Sequence, residues 1–292
     1  MMPLRLVIPA VLFCTCASAQ FPNYRDPGVP RQKDGKANLS APAPRLGGKP
    51  DLSGVWMHEP TPTAELKRLF GAIAGDELAT LPIGMNIELQ NKYAFDMLID
   101  FDEEVLRTMK PGQPPPQMPL MKPEGMAAMA KRAAAGIPDN CHGENYGWPV
   151  AGMLSEAFKI IQAPKETMVI YEVGDLHREI FTDGRKFPAE FELPAFMGYS
   201  IGRWEGDTFV VESRGFNEKT PIDGMGHPRS EQMHVTERFR RRDYGHMDME
   251  LTFDDPKFYT RSFTVNIPHT LAPDYDVLEM FCENEKDRAH IK

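Results

Sequence analysis

From residue 157 onward, apolar and polar positions alternate in short runs rather than at helical spacing. In His246–Phe253, Met247, Met249, Leu251 and Phe253 share one parity, and His246, Asp248, Glu250 and Thr252 share the other. Successive side chains of a strand leave on opposite faces, so this run predicts a strand with one core face and one wet face. Similar texture marks Phe158–Gln162, Met168–Val173, Leu176–Thr182, Gly198–Trp204, Thr208–Ser213, Gln232–Arg241, Phe258–Ile267 and Val277–Cys282. Turn chemistry separates them: Glu205-Gly206-Asp207 has the composition of a tight hairpin, and Asp243-Tyr244-Gly245 and Asp254-Asp255-Pro256-Lys257 divide later runs. Asp51–Trp56 is a shorter, strand-like entry to the ordered part. The pattern predicts a mainly β fold, an antiparallel meander curled into a lipocalin-like barrel, closed or nearly closed. Closure removes the exposed edges that such a meander would otherwise present.

Residues 61–140 break this texture. Ala64–Phe70 and parts of 85–109 carry helical spacing, and the proline-rich stretch Pro111–Pro119 interrupts whatever precedes it. Glu124–Ala135 is rich in Ala, Met, Lys and Arg, and Pro123 suits a first helical position. The expectation is a partly helical insertion at about 61–140, packed as a lid or brace on a single β-rich domain over 51–292. Residues 21–50 are rich in Pro, Gly, Lys and Asn and poor in large apolar groups, which predicts a flexible leader.

The first twenty residues set the expected compartment. Met1–Arg5 carry one positive charge, Leu6–Phe13 form a short apolar run, and Ala17-Ser18-Ala19-Gln20 supply small residues for cleavage. This is the layout of a secretory signal peptide over 1–20, too short in its apolar core to span a bilayer stably. Export predicts a periplasmic or secreted protein without membrane insertion. Cys14 and Cys16 leave with the signal, so Cys141 and Cys282 remain as the expected disulfide, with two free thiols as the alternative. The mature chain retains 32 basic and 42 acidic residues, a net charge of −10, which gives no general attraction to nucleic acid. The run Arg238-Arg240-Arg241-Arg242 is the local exception and reads as the solvated end of a strand.

Alternation also places two charges where they do not belong. Val235, Glu237 and Phe239 share a face, and so do Leu176, Arg178 and Ile180. A lone buried charge is costly, so Glu237 and Arg178 should meet each other or a ligand. One reading is a structural ion pair across the barrel; the other is a polar site at the bottom of a ligand cavity. His227 lies in Gly224-Met225-Gly226-His227-Pro228, a Gly/Pro-bounded loop, and is the candidate for proton transfer. Tyr199, Trp204 and Tyr259 are candidates to line a pocket. Gly198-Tyr199-Ser200-Ile201-Gly202 matches the serine-hydrolase pattern, but a hairpin follows it where a nucleophile elbow needs a helix. His227, His234 and His246 raise the question of metal, yet there is no HExxH or paired-cysteine pattern, and no metal or other cofactor is predicted.

Several blocks carry a resemblance. They are Gly48–Trp56, Ile180–Arg185, Gly198–Thr208, Gly226-His227-Pro228, Val235–Phe239 and Asp254–Thr260. Together they resemble a large uncharacterised family of exported bacterial β-rich proteins, over roughly residues 48–60 and 119–290, with 61–118 as an insertion. The resemblance implies export and a shared β-fold, and it transfers no catalytic residue. The expected partner is a small, partly apolar organic molecule. The expected action on it is that of a metal-independent lyase, isomerase or hydrolase, with His227 and Glu237 as acid–base groups and Arg178 stabilising negative charge. The alternative is a non-catalytic binding protein for the same class of molecule, and a metal-dependent hydrolase is the third reading.

Overall fold

The computed structural model describes residues 25–59, 121–135, 147, 157–172, 176–222 and 226–277. The expected signal peptide over 1–20, the helical spacing of Ala64–Phe70 and of parts of 85–109, Pro111–Pro119, the expected Cys141–Cys282 disulfide and the run beyond Val277 lie outside these residues.

Among the described residues, nine strands close into a barrel in chain order. They are β3 (Gly54–His58), β4 (Phe158–Gln162), β5 (Glu166–Tyr171), β6 (His177–Phe181), β7 (Tyr199–Glu205), β8 (Thr208–Arg214), β9 (His234–Arg241), β10 (His246–Asp254) and β11 (Phe263–Leu271). A two-stranded hairpin, β1 (Arg45–Leu46) with β2 (Lys49–Pro50), precedes them. Closure runs through β11 and β3, where His269 pairs with His58 and Leu271 with Trp56. The barrel is therefore the expected mainly β architecture, with one departure from a pure antiparallel meander. β6 and β7 are parallel, with Ile180 opposite Ser200 and Phe181 opposite Ile201. The reason is parity: an odd number of strands taken in sequence around a closed ring cannot alternate direction at every junction. Residues 182–198 make the return that the parallel pair requires.

The predicted strand Phe258–Ile267 begins later than its apolar pattern suggested. Asp255 accepts hydrogen bonds from the backbone of Ser230, Lys257 and Phe258, and so holds 255–258 as a turn. β11 starts only at Phe263.

Inward positions form one continuous core. Trp56, Phe158, Val169, Ile180, Val211, Phe239, Met249 and Phe253 are all at or below 4 % exposure and belong to a single cluster. Two attachments seal the ends. Helix α1 (Pro123–Ala135) lies on the 255–259 turn, where the Lys122 N–H donates to the Phe258 carbonyl at 2.7 Å. A Cβ at Gly125 would stand 2.7 Å from that carbonyl, so only glycine allows the helix this close. The expected helical segment against the barrel is present.

At the other end, residues 25–50, expected to be a flexible leader, make ordered contacts. Tyr244 N–H donates to the Ala41 carbonyl and Gly245 N–H to the Leu39 carbonyl, both at 2.7 Å. Arg31 pairs with Asp274, and Arg45 with Asp207 at 2.8 Å. This arm has little core of its own; bonds to the barrel offset its ordering entropy. The arginine run is only partly the solvated strand end that its charge suggests. Arg238 and Arg242 pair outside with Glu205 and Glu59, but alternation turns Arg241 inward to 6 % exposure.

Candidate functional site

Two polar centres emerge, one inside the barrel and one where the arm meets its wall. Inside, Arg178 on β6 faces Glu237 on β9, with side chains 2 % and 0 % exposed. The guanidinium bonds both carboxylate oxygens: one N–H reaches Oε1 at 3.0 Å, and a shorter contact joins the other arm to Oε2. Its Nε donates to Ser200 Oγ at 3.0 Å and its second terminal nitrogen to Ser213 Oγ at 2.6 Å. Ser200 and Ser213 face each other across β7 and β8 at 2.9 Å. Tyr171 stands in hydrogen-bonding reach of the guanidinium, which counters the upward push of burial on its phenol. Four of the five donors of Arg178 are thus committed to Glu237, Ser200 and Ser213.

Electrostatics here is a contest between burial and pairing. Burial works against the charge on Arg178, and the attraction and hydrogen bonds of Glu237 outweigh it, leaving its pKa raised. Burial also raises Glu237, with Arg178 opposing. The cavity beside the pair is lined by Phe158, Ile160, Val169, Tyr171, Phe239 and Met249 and measures about 10 Å³. That is room for about one water. The ion-pair reading of these two charges describes the geometry, and the cavity next to them does not hold an organic molecule.

Ser200 explains the hydrolase-like motif. It lies on a regular strand pointing inward, with Arg178 as its partner, so the sequence pattern encodes packing. A Cβ at Gly202 would meet the Phe209 ring at 2.6 Å and Ile180 at 2.9 Å, so this glycine leaves space for an interior aromatic.

The remaining candidates do not gather around the pair. His227 is buried at 4 % exposure in the loop before β9. Its neighbour Pro228 accepts the Tyr259 hydroxyl at 2.7 Å, Tyr259 packs on Phe263, and Phe263 stacks on Phe253. Phe253 pairs with Val235, two positions before Glu237, so this aromatic layer lies between the His227 loop and the ion pair. Tyr199 is on the outer face, among Phe181, Phe187 and Phe191, with its hydroxyl bonded by Arg185. Trp204 packs on Phe209 at the end of β7. The three aromatics expected to line one pocket occupy three different places, because Tyr199 and Trp204 have opposite parity and Tyr259 precedes its strand.

The histidines raised for metal are likewise apart. His234 lies beside Glu212 near one end of the wall, and His246 bonds Asp243 at 2.7 Å at the opposite end of β10. Among the described residues no group of three or more His, Cys, Asp or Glu could hold a metal ion.

The second polar centre was not legible in the sequence. The arm, the start of β3 and the residues after β11 enclose a cleft of about 470 Å³. Arg241 forms its inner wall, stacked over Trp56 and Tyr244 and donating to the carbonyls of Asp51, Asp243 and Tyr244. Burial holds this guanidinium below its ordinary pKa. Tyr275 donates to Glu172 at 3.1 Å, and burial together with that carboxylate pushes its phenol up to about 12. Lys159, Asp51 and Asp276 add charge of both signs, and Val29, Val55 and Leu271 add apolar surface.

Comparison with protein-family models, with curated proteins and with solved structures gave no match. Among the described residues no helix is long and apolar enough to cross a membrane.

Proposed function

We propose that this chain is an exported small-molecule-binding barrel that holds its ligand in the cleft between the N-terminal arm and the barrel wall. The observation that carries the reading is the contrast in space: about 470 Å³ in the cleft against about 10 Å³ beside the inward ion pair. Pockets for small organic molecules span about 300–1,000 Å³ and combine apolar lining with a few fixed polar groups. The cleft has that make-up: apolar side chains, two tyrosines, and Lys159, Asp51 and Asp276 to orient a partly apolar ligand.

The geometry favours this binding role over acid–base catalysis by His227, Glu237 and Arg178. A general base needs reach to a substrate proton, and an oxyanion stabiliser needs free donors aimed at developing charge. Arg178 has spent its donors on its neighbours, and the space beside Glu237 does not admit a substrate.

The test is native mass spectrometry of the exported, purified protein alongside the variant Ala272→Phe. Ala272 lines the cleft, and its backbone N–H bonds the Val55 carbonyl whatever its side chain. A co-purified organic molecule retained by the wild type and lost from a folded Ala272→Phe variant is the expected result. Retention unchanged in the variant overturns the cleft as the site. Turnover of the recovered molecule that collapses in a folded His227→Ala variant overturns the non-catalytic reading.

A further inference from the structure

Three inward residues on adjacent strands form a row that neither the ion pair nor the cleft uses. On β11, His269 pairs with His58 of β3 on one side and with Met247 of β10 on the other. Directly paired residues project to the same face with their Cβ atoms about 4.5–5.5 Å apart. All three are buried: His58 at 8 %, His269 at 0 % and Met247 at 0 %. The His58 and His269 rings lie 4.7 Å apart between centroids, and His269 also meets the Phe158 ring at 5.2 Å.

His269 is anomalous. Neither of its ring nitrogens makes a well-formed hydrogen bond, although both are shut away from solvent and the Ile267 backbone lies near enough to favour a proton on the ring. An imidazole always carries at least one N–H and, when neutral, one lone pair. Leaving such groups unsatisfied costs about 1–3 kcal/mol each, and an orphan of this kind calls for an explanation such as an ion. A phenylalanine at this position would fill the same space without that cost.

The geometry points to a binding site for a soft monovalent metal ion of the copper(I) class, with His58, His269 and Met247 as its two nitrogen and one thioether ligands. An ion at an ordinary metal–nitrogen distance sits about 3.2 Å from the centre of the ring that binds it. The two ring centres are 4.7 Å apart with planes at 80°, and once the rings turn so that a nitrogen of each faces a shared ion they subtend about 95° at it, close to a trigonal or tetrahedral angle. A thioether ligand selects for soft ions, and imidazole is compatible with them. The donor set is also uncharged, and the Arg241 guanidinium stands on the residue paired with Met247 from its other side. A buried site with neutral ligands and a cation nearby penalises a divalent ion far more than a monovalent one, because the desolvation cost rises with the square of the charge. His58, at the end of β3, is the most exposed of the three and gives the ion its entry side.

The test uses the exported mature chain, with its cysteines as they emerge. Copper(I) is supplied under argon with ascorbate and contested by a chromophoric copper(I) chelator. The expected result is capture of one equivalent by the wild type, with affinity lowered at least tenfold in Met247→Leu and capture abolished in His269→Phe. Met247→Leu keeps the packed volume, and His269→Phe removes the orphan nitrogens, so both variants retain the wild-type circular dichroism. Failure of the wild type to compete with the chelator overturns the site. So does capture that survives in both variants, or that disappears only when Cys141 and Cys282 are alkylated. One equivalent of zinc(II), bound by the wild type and lost in His269→Phe, overturns the assignment to a soft ion.

Discussion

Arg178 and Arg45 hold their carboxylates in the same way, each guanidinium sharing two hydrogen bonds with both oxygens of one acid. Arg178 and Glu237 do so at 2 % and 0 % exposure inside the barrel, whereas Arg45 and Asp207 do so at 50 % and 61 % on its outside. The geometry is alike and the energetics are not. Outside, water can replace either partner, so the pair contributes little. Inside, nothing can replace Glu237, so each charge depends on the other for its solvation. The interior pair also draws Ser200 and Ser213 into its network, while the exterior pairs pin the arm that forms the cleft.

The largest effect in this comparison belongs to a single change in the interior pair. Glu237→Gln leaves the Arg178 charge buried without a counter-ion, and the expected loss is about 3–5 kcal/mol in denaturant unfolding. The double variant Arg178→Met, Glu237→Leu removes both charges, and Ser200 and Ser213 still have each other at 2.9 Å. Its expected stability lies within about 1–2 kcal/mol of wild type or above it. If the double variant is as unstable as the single one, the pair is more than a mutually dependent charge couple, and the structural reading fails.

A second test of the interior concerns space. Gly202→Ala puts a methyl group at 2.6 Å from the Phe209 ring and 2.9 Å from Ile180. Overpacking of this kind costs about 1–3 kcal/mol. The loss should appear as a lower unfolding midpoint with an unchanged slope, and adding Gly202→Ala to a Phe209→Leu background should cost less than adding it to the wild type if the ring is what resists the methyl.

The same comparison shows what the sequence could and could not reveal. Inward charges were legible because parity along one strand needs no knowledge of its neighbours: Arg178 follows Leu176 by two and Glu237 precedes Phe239 by two. That they meet is a fact of barrel closure, and it followed from the cost of leaving either alone. Ser200 and Ser213 were missed because a small hydroxyl at an inward position carries no such cost signal. The His58–His269–Met247 row depends on register across three strands, two of which are separated by about two hundred residues in sequence. The cleft was hidden for a different reason. Composition correctly showed that residues 25–50 cannot bury a core of their own, but their order comes from the barrel, through backbone bonds at Leu39 and Ala41 and ion pairs at Arg31 and Arg45.

That dependence gives the smallest and most local prediction. Hydrogen bonds from Arg31 lower the pKa of Asp274, and hydrogen bonds from Arg45 lower that of Asp207. A carboxylate whose pKa is lower in the folded state than in the unfolded state contributes stability that is complete above its unfolded value and is lost as the pH falls through its folded value. The window for the arm therefore lies below about pH 4, where ordinary aspartates begin to protonate. Acidification from pH 5 to pH 3 should lower the protection factors of the Tyr244 and Gly245 amides, which bond the arm, once exchange is referred to the intrinsic rate at each pH, before it affects the amides paired between β9 and β10. Arg31→Ala with Arg45→Ala should produce the same local loosening at neutral pH and no measurable change in the global melting temperature, because both pairs are solvent-screened. Ligand retention measured in this double variant then links the two regions. A cleft held open by surface pairs should lose its molecule while the barrel stays folded, and full retention would show that the backbone bonds at Leu39 and Ala41 hold the arm without them.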